Sequence, residues 1–392
     1  MGKLWSAGVG AAMILVTTAT AWAYEPLVEK QVFEMGPYTT VGGATIPEVR
    51  VGWEAYGTLN EARDNVILIT HFFSATSHAA GSYVEGGPKG YWDYLIGSGK
   101  PLDTDRFYVI SSDTLVNLNT GDPNVTTTGP ASIDPATGEP YGMDFPVVTI
   151  RDFVEVQRAL LESLGIERLH AVMGASMGAL QALEWASAHP EMVERLIPVI
   201  GAGEADAFLI GALDAWAAPI RLDPNWQGGD YYDGEPPLDG LAAALALVTL
   251  QAQHWQWADA AFGRAWNDDA VDPAGAVDAT YHVQAALAGA GAARAKTSDA
   301  NHFLYLVKAN QLFRTGHGDS LVEGLARIEA PTLMLYSPDD LVFPAAKVQA
   351  TATLIGADGT PVETYAIAGR RGHLDGVLNL QQVEAVLRAF LE

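Results

Sequence analysis

The rhythm of apolar and polar positions changes several times along the chain, and the changes divide it into segments. Residues 32–56 alternate between the two, with breaks at Gly42-Gly43 and Pro47, as paired half-exposed strands do. Residues 65–70 and 107–111 are instead short continuous apolar runs, the pattern of strands buried on both faces in a parallel sheet. Residues 112–143 between them and the next element are polar and rich in Gly, Pro, Thr and Asn, which predicts a long ordered loop. Phe153, Val156, Leu160, Leu161 and Leu164 then recur at helical spacing and stop at Gly165. A short strand at 169–173, a helix at 179–188 and a strand at 195–200 follow. Strand and helix in alternation predict an α/β fold, a mostly parallel doubly wound sheet with helices on both faces.

The alternation stops at about residue 201. Up to residue 297 the composition turns to Ala, Trp and Asp at helical spacing without a clear strand, and five of the ten Trp fall here. This predicts an inserted helical lid. Trp255 and Trp257 flank Gln256 on a predicted helix, so at least one is expected in the core. One or two aromatics of the region are expected to line a pocket. From residue 301 the α/β pattern resumes: a helix to 313, a strand at 332–337, a helix from 344, a strand at 362–367 and a last helix at 380–390. The predicted organisation is a signal peptide at 1–23, a first core segment at 24–200, the lid at 201–299 and a second core segment at 300–392.

Composition narrows the function. With 49% hydrophobic and 18% charged residues in 392, the chain has material for a large core. The formal net charge of −25 repels phosphate backbones and anionic lipid headgroups, and no basic run offsets it, so neither nucleic acid nor a membrane surface is an expected partner. The absence of Cys excludes disulfides, thiolate zinc sites and a thiol nucleophile. Met1-Gly2-Lys3, an apolar stretch at 4–19 and Ala21-Trp22-Ala23 make a basic, apolar and small-x-small succession. This predicts a secretory signal cleaved after Ala23 and a secreted or periplasmic product.

Gly174-Ala175-Ser176-Met177-Gly178, between a predicted buried strand and a predicted helix, matches a nucleophile elbow. Its partners are expected in the order Ser, Asp, His. Asp339 and Asp340 both follow the strand at 332–337. His373 follows the strand at 362–367 and is the only one of nine His beyond those carboxylates. An oxyanion hole needs two backbone N–H groups. The residue after the nucleophile, Met177, supplies one, and the loop His71-Phe72-Phe73-Ser74 supplies the other, with Phe73 as the choice. His71 and His78, seven apart, fit no short metal motif, and no metal or cofactor is expected.

Tyr56-Gly57-Thr58-Leu59-Asn60, Ser77-His78-Ala79-Ala80-Gly81, Thr128-Gly129-Pro130, Tyr141-Gly142-Met143-Asp144-Phe145-Pro146, the elbow through Trp185 and Asp340-Leu341-Val342-Phe343-Pro344 together resemble the homoserine O-acetyltransferase family of α/β-hydrolases. The resemblance implies Ser176, Asp340 and His373 as a triad, the Phe73 and Met177 amides as oxyanion hole, and a helical lid that forms homodimers. It also selects Asp340 over Asp339. Three departures concern the acceptor pocket. Leu374 stands where the family carries Asp after the His, Ala217 where it carries Arg before Asp223-Pro224-Asn225-Trp226, and Asn117-Leu118-Asn119-Thr120-Gly121-Asp122 where it has a Gly- and Cys-rich loop. Losing charged partners weakens binding of a zwitterionic acceptor. The expected function is an exported serine hydrolase of small-molecule esters. The alternatives are an acetyl-CoA-dependent acyltransferase and a catalytically silent binding protein that uses the Trp-rich insertion.

Overall fold

The computed structural model describes residues 27–318 and 320–392. The expected signal segment and its cleavage point lie outside them. Eight strands form one sheet: β1 (Gln31–Met35), β2 (Val49–Tyr56), β3 (Val66–Thr70), β4 (Tyr108–Ser112), β5 (Ala171–Ala175), β6 (Leu196–Val199), β7 (Thr332–Tyr336) and β8 (Val362–Ala366). Their spatial order is β1-β2-β4-β3-β5-β6-β7-β8. β2 is antiparallel to β1, with Gln31 opposite Trp53, and to β4, with Ala55 opposite Ile110. The remaining pairs are parallel, for example Leu68 opposite both Ile110 and Val172. The alternation at 32–56 thus makes the antiparallel edge, and the apolar runs make the buried centre. Only the centre is covered on both faces, which is why its strands need no polar positions.

β3 shows how the sheet divides the core. Val66 and Leu68 point into the cluster that holds Phe153 and Trp185, whereas Ile67 and Ile69 point into the one that holds Trp92 and Leu95. On the first face lie α1 (Ile150–Ser163) and α2 (Met177–Ala188). The Thr149 side chain accepts from the Asp152 amide and the Asp152 carboxylate from the Thr149 amide, a capping box that starts α1 at Ile150, three residues before the first apolar position of its helical spacing. Eleven of the twelve residues of α2 are buried, in keeping with its uniform Met, Ala and Leu content.

Between β6 and β7 the chain runs through α3 (Ala207–Leu222), α4 (Leu238–Gln251), α5 (Trp255–Phe262), α6 (His282–Ala295), α7 (Ala300–Gln311) and α8 (Leu321–Ala326). α3 packs on α4 and α7, and α4 on α6. The region is less helical than its spacing predicts: residues 264–281 form turns closed by a bridge between Trp266 and Tyr281. Trp255 and Trp257 also differ from expectation. Trp255 is 63% exposed and no residue of α5 is buried, so neither indole is a core residue. Both lie on a short helix held by few neighbours, and side-chain size did not decide burial there. After β7 come α9 (Ala345–Ile355), the short α10 (Asp375–Leu378) and α11 (Glu384–Phe390). The last helix starts four residues later than its spacing predicts because 380–383 form a 3₁₀ turn. Among the described residues, no helix is long and apolar enough to cross a membrane.

Candidate active site

Parallel strands deliver their following loops to one rim of the sheet, and three of them meet there. After β5 the chain turns at Ser176, whose φ of 57° and ψ of −123° are unusual for a residue with a side chain. The turn is tight enough that a Cβ on Gly174 would strike the Thr70 side chain and one on Gly178 the Thr70 carbonyl. The flanking glycines are therefore a packing requirement of the elbow. The Ser176 amide donates to the Val199 carbonyl (2.9 Å), which anchors the turn to β6.

After β7, Asp340 is buried and Asp339 is exposed. Asp340 Oδ1 accepts from the amides of Val342 (2.7 Å) and Phe343 (3.0 Å), which fixes the carboxylate. Its Oδ2 lies 2.7 Å from His373 Nδ1. After β8, His373 projects Nε2 to 2.8 Å from Ser176 Oγ. The carboxylate orients the imidazole so that Nδ1 carries the proton and Nε2 presents a lone pair to the serine hydroxyl. The structure thus brings Ser176, Asp340 and His373 into one hydrogen-bonded chain and leaves Asp339 out of it.

The turn after β3 packs beside the elbow. Neither the Phe73 nor the Met177 amide has an acceptor among the described residues. The Met177 amide opens α2, where the helix dipole adds to its pull on negative charge. The neighbouring loop is fastened by residues that sequence reasoning did not single out. Thr70 Oγ1 donates to the Gly178 carbonyl (2.7 Å), and Gln181 Nε2 donates to the His71 carbonyl (3.1 Å). His71 Nδ1 donates to the Phe72 carbonyl (2.9 Å), and its Nε2 accepts from the Thr114 amide (3.2 Å). Burial pushes the His71 imidazole below its usual titration range, so it stays neutral and serves as a strut. Asn117 and Asn119 add donors to the Ala75 and Ser74 carbonyls. These two asparagines come from the rewritten loop, and a polar residue at a loop end was its only signal in the sequence.

Below the same loop lies a second buried polar group. Glu54 on β2 accepts from His78 Nδ1 (3.0 Å) and from Tyr56 and Tyr83, and pairs with Lys30 (2.9 Å). Burial alone would raise the Glu54 carboxyl, but the His78 hydrogen bond and the Lys30 charge outweigh it and hold it at about 2. His71 and His78 thus hydrogen-bond to different partners, His71 to the Phe72 carbonyl and Thr114 amide and His78 to Glu54.

A pocket of about 620 Å³, partly open to solvent, lies above Ser176. Phe72, Phe73, Val342, Phe343 and Leu374 line it from the core side, and Leu209, Leu213, Trp216, Val248 and Asn310 from the helices above. Trp216 is the one tryptophan of the insertion in this lining. No Asp, Glu, Lys or Arg is among the lining residues. Leu374 faces the pocket, whereas Asp375 turns away: its carboxylate accepts from the Arg371 amide (2.9 Å) and Asn379 Nδ2 (2.5 Å) and braces the loop that carries His373. Ala217 is wholly buried and is not part of the lining.

The fold is shared with known enzymes. The alpha/beta hydrolase fold family matches residues 83–361. A homoserine O-acetyltransferase of Symbiobacterium thermophilum is 38% identical over 360 residues, 91% of this chain and 92% of its own length. The solved homoserine O-acetyltransferase of Bacillus anthracis superposes with a TM-score of 0.90 at 38% identity, over 94% of this chain and 98% of that one. The chain belongs to the homoserine O-acetyltransferase family of α/β-hydrolases. Within the same fold it is 51% identical to a solved esterase, E22, with a TM-score of 0.90 over 93% of this chain and all of that one. This member of the homoserine O-acetyltransferase family is therefore an enzyme of the α/β-hydrolase class, an acyltransferase or a hydrolase. The alternative of a catalytically silent binder falls away with that membership.

Proposed function

We propose that the chain is an exported ester hydrolase that works through an acyl-Ser176 intermediate. The observation that carries the proposal is the Ser176–His373–Asp340 chain at the floor of a pocket with no Asp, Glu, Lys or Arg in its lining. His373 Nε2 takes the proton from Ser176 Oγ as Oγ bonds to the ester carbonyl carbon. The Phe73 and Met177 amides donate to the carbonyl oxygen as it becomes an oxyanion. The C–O bond to the alcohol then breaks, and the proton on Nε2 passes to the departing alkoxide. Water repeats the sequence against the acyl-enzyme: its proton goes to Nε2, its oxygen to the acyl carbon, and Ser176 Oγ regains its proton as the acid leaves. The Asp340 carboxylate holds Nδ1–H and stabilises the imidazolium as it forms.

Hydrolysis is favoured over transfer to homoserine by what surrounds the serine. A zwitterionic acceptor brings an ammonium and a carboxylate into the pocket, and each costs several kcal/mol to desolvate without a charged partner. Leu374 offers none, and Asp375 is committed to its own loop. The 51% identity to esterase E22 supports the same reading. The second reading, an acetyl-CoA-dependent transferase, is favoured by the relatives at 34–38% identity that are homoserine O-acetyltransferases. Export rests on the basic, apolar and small-x-small succession at residues 1–23, and the mass of the mature N-terminus decides it.

Purified enzyme is expected to cleave short-chain nitrophenyl esters, with a loss of roughly 10⁵-fold or more in Ser176→Ala. Turnover unchanged in that variant overturns the triad. CoA release from acetyl-CoA that occurs only when homoserine is added overturns hydrolysis in favour of transfer.

A further inference from the structure

In a pocket walled by Phe, Leu, Val and Trp, Asn310 is an anomaly. It lies on α7, is 6% exposed and faces the same space as Ser176 and His373. Ser74 is the only other polar lining residue outside the Ser176–His373 pair. The orientation of its amide is set by chemistry. Nδ2 lies 2.8 Å from the Leu306 carbonyl, which can only accept, so the NH₂ group points back along the helix. No described residue hydrogen-bonds Oδ1, and the atom is open to solvent rather than sealed in the wall. The helix end that carries it is also well held: Gln311 Nε2 donates to the Ile210 carbonyl (3.1 Å) and the Ala205 amide to the Phe313 carbonyl (3.0 Å), which lock the end of α7 against the start of α3. An acceptor held in an apolar wall takes water in the empty site, and a ligand that displaces that water must donate in its place or lose affinity.

The geometry points to Asn310 as a specificity-determining residue whose Oδ1 accepts a hydrogen bond from a hydroxyl carried by the substrate away from the scissile bond. The preferred substrate class is a small hydroxylated ester. This rests on the hydrolase reading above and names the substrates of that same site. A hydroxyl reaches Oδ1 from either part of an ester: from the acyl chain, as in a 3-hydroxyacyl ester, or from the alcohol, as in the monoester of a diol. The recognising chemistry is the same. It also rejects the unsubstituted analogue, because that ligand strips water from Oδ1 and returns nothing. No group moves to or from Asn310, so the residue acts on selectivity and not on the bond-breaking steps.

The test compares kcat/KM for two matched pairs, 3-hydroxybutyrate against butyrate nitrophenyl esters and 2-hydroxyethyl against ethyl acetate. The native enzyme is expected to prefer the hydroxylated member of one pair by about tenfold or more, and that pair identifies which part of the ester carries the hydroxyl. Asn310→Leu, close in volume but without an acceptor, is expected to erase or invert the preference, mainly through faster cleavage of the unsubstituted ester. Asn310→Asp keeps an acceptor and is expected to keep the preference even as its charge slows both esters. A ratio near one in both pairs for the native enzyme overturns the inference, as does a ratio that Asn310→Leu leaves unchanged. Calorimetric binding of the same esters to Ser176→Ala reads the preference without turnover. Absent hydrolysis in the native enzyme overturns the hydrolase reading, while equal binding of hydroxylated and unsubstituted esters overturns this one.

Discussion

At the scale of single residues, two adjacent carboxylates separate by what their backbones do. Asp340 turns inward because two amides, those of Val342 and Phe343, converge on one of its oxygens and leave the other for His373. Asp339 faces solvent. Asp340→Asn is accordingly expected to lower kcat about 10⁴-fold with little change in folding, because an amide presents a donor to the imidazole and stabilises the wrong tautomer. Asp339→Asn is expected to stay within about twofold. Steady-state kinetics on both variants check this, and an equal loss in the two would reassign the carboxylate. From the residues alone the pair was undecided: both follow the same strand, and one residue of register alters neither composition nor spacing. Ser176 and His373 were legible because each is fixed by order and by flanking glycine. Gln181 and Asn310 were not, since an amide on a helix has no pattern until its neighbours are known.

At the scale of elements, the central strands and α2 were legible because a segment buried on every side carries one kind of residue throughout. The turns at 264–281 and the short α5 were not, because large apolar residues there are only partly covered and burial depends on distant partners. The loops around the pocket show the same limit in polar form. His71 fits no short metal motif in the sequence and His302 falls in no motif at all, yet each clamps a loop. His302 Nδ1 donates to the Asn117 carbonyl (2.8 Å), and its Nε2 accepts from the Ala131 amide (3.1 Å). Burial lowers the pKa of both imidazoles below the ordinary 6.5. Below pH 6.5 the unfolded chain therefore binds more protons than the folded one. The stability they confer is fully present above that value and is lost as pH falls towards the folded pKa values, at up to about 1.4 kcal/mol per pH unit for each group. The melting temperature is expected to fall between pH 7.5 and 5.5. His302→Gln can keep one donor and one acceptor without titrating, so its melting temperature is expected to fall less over the same interval. A parallel fall in both proteins would place the acid sensitivity elsewhere.

At the scale of the whole molecule, two helices over the pocket have one feature the core lacks: α3 and α4 present apolar residues on their outer side as well, interrupted on α3 by the exposed Asp214–Arg221 ion pair. α4 has a single charged residue, Asp239, in its fourteen positions, and a helix that is apolar all round is ordinarily buried all round. Here Ala243, Leu247 and Leu250 face outward, beside the outward-facing Phe208, Gly211, Ala215 and Leu222 of α3. Phe208 is 68% and Leu222 82% exposed. The net charge of −25 keeps copies apart at long range, but at physiological ionic strength that repulsion is screened beyond about 8 Å, whereas an apolar face acts on contact. Each side chain such as Leu taken fully out of water contributes about 1.5–3 kcal/mol, and a two-fold pairing counts every one twice. The expected state is a homodimer joined through α3 and α4. Sedimentation velocity at micromolar concentration should give twice the monomer mass of 41.6 kDa for the whole chain, and Leu247→Glu with Leu250→Glu should give the monomer. Because α3 and α4 also wall the pocket through Leu209, Leu213, Trp216 and Val248, dissociation should loosen it and raise KM more than it lowers kcat. A monomer at all concentrations, or a dimer that survives both glutamates, would mean that this face is not where the copies meet.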